Sequence, residues 1–529
     1  MHGSGARRTR KPRARADSRK DSTMSAVAHP SEPSGAPDRW TPRLVLSLAS
    51  IVLLLEMLTV SYIMVSVALP QIEAHFQTTQ GAWMLTSYLL VGAVATPLLG
   101  KLADMYGKRK ILLICIAVSA VGSAITAAAP TYGLMVAGRA LAGTLTPCVF
   151  IAYSLIRDVF PAKTIALSVS IVTTGLGLVA IPAPFLTGWC LDHFGFRGIF
   201  WFFAIATAVF GLLILFTTDE SSLRLRSRMD FLGAALLGLG IAGVLIAVSF
   251  GPTWGWASGS TLVYLFGGIA FMIAWLVSVR LLPEPLLDPR ILRQRSIVLI
   301  TVSASAAYGL STLYTVLMPM MTMPPRSTGL GYGFGVSAKA YAIFQAPQGG
   351  MIVVGGAIVG ILVGRNVRPR TLMATGMALT VVGFLLTSLL HDNKALLICF
   401  AVITGTGLGF AYATVPNLLI EAVSPQLQAT TSSFANTFQT ISSAAMPVVV
   451  FAVLNNSYIA PIPKSLTGGA ILYTNSGFQV AFQIGAVVAV VGAIAALLLP
   501  RKIKQLQAEA ATVAAGEDES GATSVVLGH

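Results

Sequence analysis

Long apolar runs, separated by short polar and often basic segments, fill the chain from about residue 43 to residue 500. The runs are continuous rather than alternating, which is typical of helices and not of membrane barrel strands. A helix needs about 20 apolar residues to cross the hydrocarbon layer of a bilayer. Fourteen segments are long enough: 43–69, 83–102, 110–129, 132–156, 164–187, 198–217, 231–250, 261–282, 297–322, 338–363, 371–390, 395–420, 429–454 and 478–499. The pattern predicts an all-α integral membrane protein with 14 transmembrane helices.

The composition supports this prediction. Hydrophobic residues make up 55% of the 529 residues and charged residues 10%, whereas a soluble domain has about 25% charged residues. A lipid bilayer is therefore the expected surrounding. The net charge of +15 lies in tails and short loops, so we expect no nucleic-acid partner.

The sequence offers no chemistry typical of an enzyme or a metalloprotein. The four cysteines share no short spacing, so neither a disulfide framework nor a metal site is expected. No arrangement of nucleophile and base is recognisable either. We expect no enzyme activity, no metal and no cofactor.

The basic residues predict the orientation. An even number of spans places both termini on one side, and only five of the 35 Lys and Arg residues fall in loops on the other side. These five are Arg197, Arg326, Lys339, Lys394 and Lys464. Because basic loops stay in the cytoplasm, we expect a multi-pass protein of the cell membrane with both termini cytoplasmic. The polar ends, 1–42 and 501–529, are predicted to be disordered cytoplasmic tails.

An internal repeat divides the chain further. Residues 360–370 align with residues 100–110 at a glycine, a leucine and two basic positions. The second and tenth spans are therefore candidate equivalents. This predicts two pseudo-repeated six-helix halves, 43–217 and 297–500, with two inserted linker helices at 231–282.

The segment 100–110 carries the strongest motif. Gly100, Asp104, Gly107, Lys108 and Arg109 match the pattern G-x-L-A-D-x-x-G-R/K-R/K, which resembles the cytoplasmic loop motif of the major facilitator superfamily. Glycines allow the second and third helices to turn and pack closely. The aspartate can accept hydrogen bonds from a helix N-terminus or pair with a basic side chain. The resemblance implies a loop that biases the two access states of a transporter.

Arg139 lies seven residues into the fourth predicted span, at a depth of about 10 Å. The stretch 134–143 resembles the superfamily motif L-x-x-x-R-x-x-x-G, whose arginine the resemblance links to proton transfer or substrate-linked switching. An intramembrane charge needs a partner or water. The alternative is an arginine that extends toward the outer surface.

The fifth predicted span resembles the antiporter motif G-x-x-x-G-P-x-x-G-G. The matching residues are Gly175, Pro182, Pro184 and Gly188, with Ala183 and Thr187 at two glycine positions. Glycine and proline here would bend the helix and let it pack closely.

Together with the span count and the segment 405–417, these motifs resemble the 14-helix drug:proton antiporter family (EmrB/QacA type). The resemblance implies the major facilitator fold and proton-coupled export of small amphipathic or cationic compounds by alternating access. Its partners would be a small-molecule substrate, protons and lipid, and the sequence permits a monomer. The alternatives are a proton-coupled transporter of a lipid, siderophore or metabolite, and a membrane sensor that keeps the fold without transport.

The first span departs from that family. Ser61 and Ser66 stand where members often carry an acid and an asparagine. Glu56, five residues earlier, lies near the middle of the span, and no other acid sits so deep in the predicted spans. A carboxyl group there could exchange a proton for a cationic substrate. A structural carboxyl group bonded to neighbouring helices is the alternative.

Polar residues also fall within the later spans, at Gln345, Asn417, Asn436 and Gln439. They could line a cavity, or they could join helices by hydrogen bonds. The sequence does not decide between these roles.

Overall fold

The structure is a computed structural model. It describes residues 41–161, 164, 168, 182–221, 224, 230–281, 294–326, 329–423, 428–459 and 471–500.

The described chain is helical apart from its connections and one isolated bridge between Tyr458 and Tyr473. The helices are α1 (Pro42–Phe76), α2 (Trp83–Tyr106), α3 (Lys108–Ala128), α4 (Tyr132–Ala142), α5 (Cys148–Val159), α6 (Ala183–Thr217), α7 (Phe231–Trp254), α8 (Gly259–Leu281), α9 (Arg295–Thr322), α10 (Ala342–Gly364), α11 (Pro369–Leu389), α12 (Lys394–Ala422), α13 (Gln428–Asn455) and α14 (Asn475–Leu498). A 3-10 turn, Gly143–Leu145, joins α4 to α5.

Thirteen spans in the described part of the chain are long and apolar enough to cross a membrane, with α4 and α5 forming one span, Tyr132–Val159. They correspond to thirteen of the predicted segments. Most of the other, 164–187, lies outside the described residues, so the count of fourteen stays a prediction. The all-helical membrane architecture is confirmed.

Two predicted boundaries are wrong. The first predicted span ends at residue 69, but α1 continues through Pro70 to Phe76, since neighbouring elements can support a proline inside a membrane helix. Residues 188–194, which the predicted spans leave as a loop, are helical. At Gly195, where φ is 63° and ψ is −173°, the helical conformation is interrupted, so α6 consists of two helical segments joined by a kink.

Polar caps fix where several helices begin. Thr41 accepts a hydrogen bond from the Leu44 amide at 3.2 Å, and Asp230 accepts one from the Gly233 amide at 2.6 Å. Such caps satisfy amides that have no partner inside the helix. The helix starts therefore follow directly from the polar residues at the ends of the apolar runs.

The helices pack in a repeated set of pairs. In the first part of the chain α1 packs on α6, α3 on α6 and α4, and α2 on α4. In the second part α9 packs on α14, α11 on α14 and α12, and α10 on α12. The same pairing thus recurs in both parts of the chain, while the bounds of the predicted halves stay a prediction. Helices α1 and α2 contact α9 and α13 across them, and α7 packs on α8, α2 and α13.

Short connections make consecutive spans antiparallel. We call the side of the connections at 77–82, 129–131, 255–258 and 390–393 the upper face, and the opposite side the lower face. The segment 100–110 lies at the lower face, at the end of α2 and the start of α3.

Candidate functional site

Glu56 is buried near the middle of α1, with 2% of its surface exposed. Neither carboxyl oxygen has a hydrogen-bond partner in the structure. An ionised carboxylate is very costly in such surroundings. The structure therefore contains no hydrogen bond from the Glu56 carboxyl group to a neighbouring helix, which the structural alternative would require.

Arg139 is also buried, with 1% exposed, and it does not extend to the surface. Its Nε donates to the Met84 carbonyl and its Nη1 to the Ser61 hydroxyl, each at 3.1 Å. The guanidinium carbon lies 4.3 Å from the centre of the Tyr88 ring and 5.8 Å from that of Phe200. Cation–π contacts of this kind stabilise a charge away from water. Arg139 thus joins α1, α2, α4 and α6.

A group of tyrosines at mid-depth was not predicted. The rings of Tyr308 on α9 and Tyr412 on α12 lie 4.4 Å apart, and Tyr308 is near Tyr153 on α5. Tyr62 on α1 donates to the Thr312 carbonyl at 3.4 Å and lies near Tyr412. All four are only half-buried. They place accessible aromatic faces between the two parts of the chain, although no local sequence pattern links them.

The lower-face segment contains a buried ion pair. Lys108 pairs with Asp158 at the end of α5, and their side chains are 5% and 3% exposed. Ser221 donates a second hydrogen bond to Asp158 at 2.7 Å. Asp104 is 3.6 Å from Lys108 and more exposed. Of the two roles predicted for Asp104, the structure contains the pairing with a basic side chain.

The N-terminus of α3 is capped by Glu220, a residue that the sequence did not single out. Its carboxylate accepts the amides of Arg109 at 3.0 Å and Lys110 at 2.9 Å. Arg109 also donates to the Leu215 carbonyl. Negative charge at a helix N-terminus is favourable. The residues after α6 therefore tie α3 to α6.

The two motif glycines differ. Gly107 has φ of 123°, and a Cβ atom there would lie 2.9 Å from Glu220 Oε2, so the turn requires glycine. Gly100 lies inside α2 with open space around the position of a Cβ. The prediction of close packing is wrong for Gly100.

The antiporter-like motif is only partly described. Gly175 lies outside the described residues, whereas Pro182 directly precedes α6 and Pro184 lies in its first turn. Gly188 approaches another chain segment closely, since a Cβ atom there would lie 2.3 Å from Lys339 Cα. This contact links α6 to the residues before α10.

The predicted polar set is not one cluster. Gln345 accepts a hydrogen bond from Tyr341 at 2.7 Å and donates to Gln348 at 3.2 Å, while Gln348 Nε2 is buried without a partner. Asn417 donates to the carbonyl of Ala413 on its own helix at 2.8 Å. Within the described ranges, no hydrogen bond joins Asn417, Asn436 and Gln439 to each other.

The two parts of the chain are joined toward the upper face. Besides Tyr62–Thr312, Asn455 donates to the Thr79 carbonyl at 3.0 Å and Thr86 to the Ala444 carbonyl at 2.8 Å. Glu73 lies at the same level, is fully buried and has no hydrogen-bond partner in the structure. Glu73 is thus a second buried acid of α1, which the prediction did not single out because it ended the first span at residue 69.

Residues 49–447 match the family model described as Major Facilitator Superfamily. The chain belongs to the major facilitator superfamily. This is a family of membrane transporters and not of enzymes, and the match spans most of the described helices.

Three relatives are similar to most of this chain and have different names. The chain is 26% identical over 411 residues to an uncharacterized MFS-type transporter of Mycobacterium tuberculosis (strain CDC 1551 / Oshkosh), covering 76% of this chain and 58% of that protein. It is 26% identical over 422 residues to the multidrug resistance protein Stp of the same strain, covering 78% and 75%. It is 27% identical over 380 residues to a uridine/deoxyuridine transporter of Lactococcus lactis subsp. cremoris (strain MG1363), covering 68% and 75%.

Solved structures share the fold. A bacterial homologue of the human lysosomal transporter Spinster, in an inward-facing and unoccupied conformation, superposes with a TM-score of 0.61 at 14% identity. The match covers 87% of this chain and 98% of that chain. At this identity the match shows the major facilitator fold alone.

Proposed function

We propose that this transporter exports small amphipathic or cationic compounds by proton-coupled alternating access, as a 14-helix drug:proton antiporter. The observation that carries the proposal is Glu56, a buried carboxyl group at mid-depth without a hydrogen-bond partner in the structure. A carboxyl group in that position binds a proton at low cost and loses it only when a cation or water replaces it. Proton binding and cation binding at Glu56 therefore compete.

The tyrosines supply the complementary substrate surface. Tyr62, Tyr308 and Tyr412 come from both parts of the chain and are half-buried. Aromatic faces attract organic cations. A cation between the two parts would meet these rings, and rocking of the predicted halves 43–217 and 297–500 would carry it across the membrane.

The lower-face network would bias the two access states. Asp104, Lys108 and Arg109 connect α2, α3, α5 and the end of α6, so movement of one helix changes contacts with the others. The lower face is the cytoplasmic side in this proposal, which puts both termini in the cytoplasm of a cell-membrane protein. Arg139 holds α1, α2 and α4 together during the change.

A second candidate is a proton-coupled transporter of a metabolite. A relative named as a uridine/deoxyuridine transporter favours it, and the Tyr341–Gln345–Gln348 chain on the side of α10 offers amide groups for a polar neutral substrate.

The test is proton-driven movement of a fluorescent lipophilic cation in inverted vesicles, compared between the unmodified protein and Glu56→Gln. Transport in the unmodified protein that is lost in Glu56→Gln, at equal protein levels, supports proton coupling through Glu56. Equal transport in both removes Glu56 from the mechanism. Absence of cation transport combined with proton-dependent nucleoside uptake favours the second candidate.

A further inference from the structure

Glu73 is the second buried acid of α1, and the proposed function does not use it. It lies about 25 Å along the helix from Glu56, given 17 residues at a rise of about 1.5 Å. Both of its carboxyl oxygens are buried and have no hydrogen-bond partner in the structure. Burying an unpaired carboxylate costs several kcal/mol, so the packing around Glu73 favours the protonated, neutral form.

The groups that face Glu73 are neutral. The backbone of Gly81 lies against the carboxyl group and offsets part of the cost of ionising it, and a Cβ atom there would be 2.2 Å from Oε1. Tyr132 on α4 is nearby, with its hydroxyl donated to the Gln80 carbonyl at 2.6 Å. Tyr473 approaches from the second part of the chain, and burial together with the Glu73 carboxyl raises the pKa of Tyr473 well above its usual range. No described Lys or Arg forms an ion pair with Glu73.

The titratable group nearest to Glu73 along the helix is His75, which is exposed and contacts Phe76 and Phe196. Any pH response of this region has to be separated from His75 by experiment.

The second part of the chain meets the first part close to Glu73. Tyr332 holds the segment before α14 by donating to the Tyr473 carbonyl at 2.7 Å and accepting from the Tyr473 amide at 3.2 Å. Close to this site, the hydrogen bond from Asn455 to the Thr79 carbonyl joins the second part of the chain to the first. Glu73 is thus buried where the two parts meet, and separating them at the upper face would expose it to water.

We propose that Glu73 is a second proton-binding residue, which takes up a proton from the upper-face solution and so permits that face to close. This inference rests on the proposed alternating access. The closed face contains the protonated acid, whereas the open face lets Glu73 ionise in water. Because proton binding and closure are linked, acidification favours closure, by up to about tenfold in the closed-to-open ratio per pH unit.

The test measures closure directly. Gln77 at the end of α1 and Ser476 at the start of α14 are exposed on the two sides of the junction between the two parts of the chain. Each is replaced by a cysteine that carries a spin label, and the distance between the two labels is measured in lipid nanodiscs between pH 5 and 9. The four native cysteines are replaced first. The closed population of the parent protein should fall as the pH rises, and Glu73→Gln should remain closed throughout. His75→Gln should respond to pH like the parent.

Two results would overturn the proposal: no pH response in the parent, or an unchanged response in Glu73→Gln. If Glu73→Gln does not fold, a hydrophobic carbodiimide can be used on the parent, since it reacts with protonated carboxyl groups in apolar surroundings. Modification of Glu73 that increases on acidification supports the proposal, and its absence contradicts it. Glu56→Gln should lose cation transport yet keep the pH response of the junction, which separates this proposal from the proposed function.

Discussion

The Nη1 group of Arg139 donates to the Ser61 hydroxyl at 3.1 Å, so a buried cation meets a neutral hydroxyl oxygen on α1. The charge is distributed instead over the Met84 carbonyl and the faces of two aromatic rings. Arg139 therefore contacts its neighbouring helices although no carboxylate among the described residues pairs with it.

Replacing Ser61 should reveal how much this hydrogen bond contributes. Ser61→Ala removes a hydrogen bond to a charged donor, and we expect a loss of about 1.5–3 kcal/mol. Thermal unfolding in detergent would show it as a lower midpoint. Ser66→Ala is the matched control, because Ser66 donates only to the Tyr62 carbonyl of its own helix. Equal midpoints for the two variants would contradict the expectation.

The Lys108–Asp158 pair should be strongly coupled. Lys108→Ala leaves the buried Asp158 with only the exposed Arg157, 3.8 Å away, as a cationic partner, and we expect a loss of about 3–5 kcal/mol. The double variant Lys108→Ala, Asp158→Ala should be less destabilised than the sum of the single variants, as a double-mutant cycle of unfolding midpoints would show. Arg157→Ala serves as the control. Its side chain is 67% exposed, so its loss should change stability by about 0.5 kcal/mol or less.

The two motif glycines should respond differently to alanine. Gly107→Ala forces a Cβ atom against Glu220 in a backbone conformation that alanine rarely adopts, so both stability and transport should fall. Gly100→Ala meets no atom and lies within α2, so it should be neutral or stabilising by up to about 1 kcal/mol. Unfolding midpoints and vesicle transport measure both effects. A similar loss in the two variants would mean that the motif needs glycine for another reason.

Tyr308 provides a test of substrate binding. Tyr308→Leu removes a ring beside Tyr412, and a cation–π contribution of about 0.5–2 kcal/mol predicts a loss in cation affinity of about 2- to 30-fold. Tyr308→Phe keeps the aromatic face and should bind nearly as well. Fluorescence titration of the lipophilic cation measures both. Weak binding by Tyr308→Phe would indicate that the hydroxyl matters and the ring does not.

The membrane helices were predictable because their signal is local. A run of apolar residues and a cap such as Thr41 or Asp230 specify where a helix begins, and the pattern around Gly107 specifies a turn. The partner of Lys108 was also foreseeable, since Asp158 is an acid at the end of the span that enters the same face.

The missed residues depend on contacts between distant parts of the chain. Glu220 caps a helix 111 residues earlier, and no local spacing indicates that. The tyrosines come from four helices and meet only after these have packed. Glu73 escaped notice because a proline and polar neighbours mark the usual end of a span, while its surroundings include Tyr473 from the other part of the chain.

The length of α1 has a mechanical consequence. Its 35 residues measure about 52 Å, which exceeds the hydrocarbon thickness of about 30 Å. Arg43, which pairs with Asp219 at 2.8 Å, and Glu73 are 30 residues apart on this one helix, or about 45 Å. A tilt of about 10° around one end would displace the other end by about 8 Å. The helix is therefore a lever that converts a small change at one membrane surface into a large movement at the other.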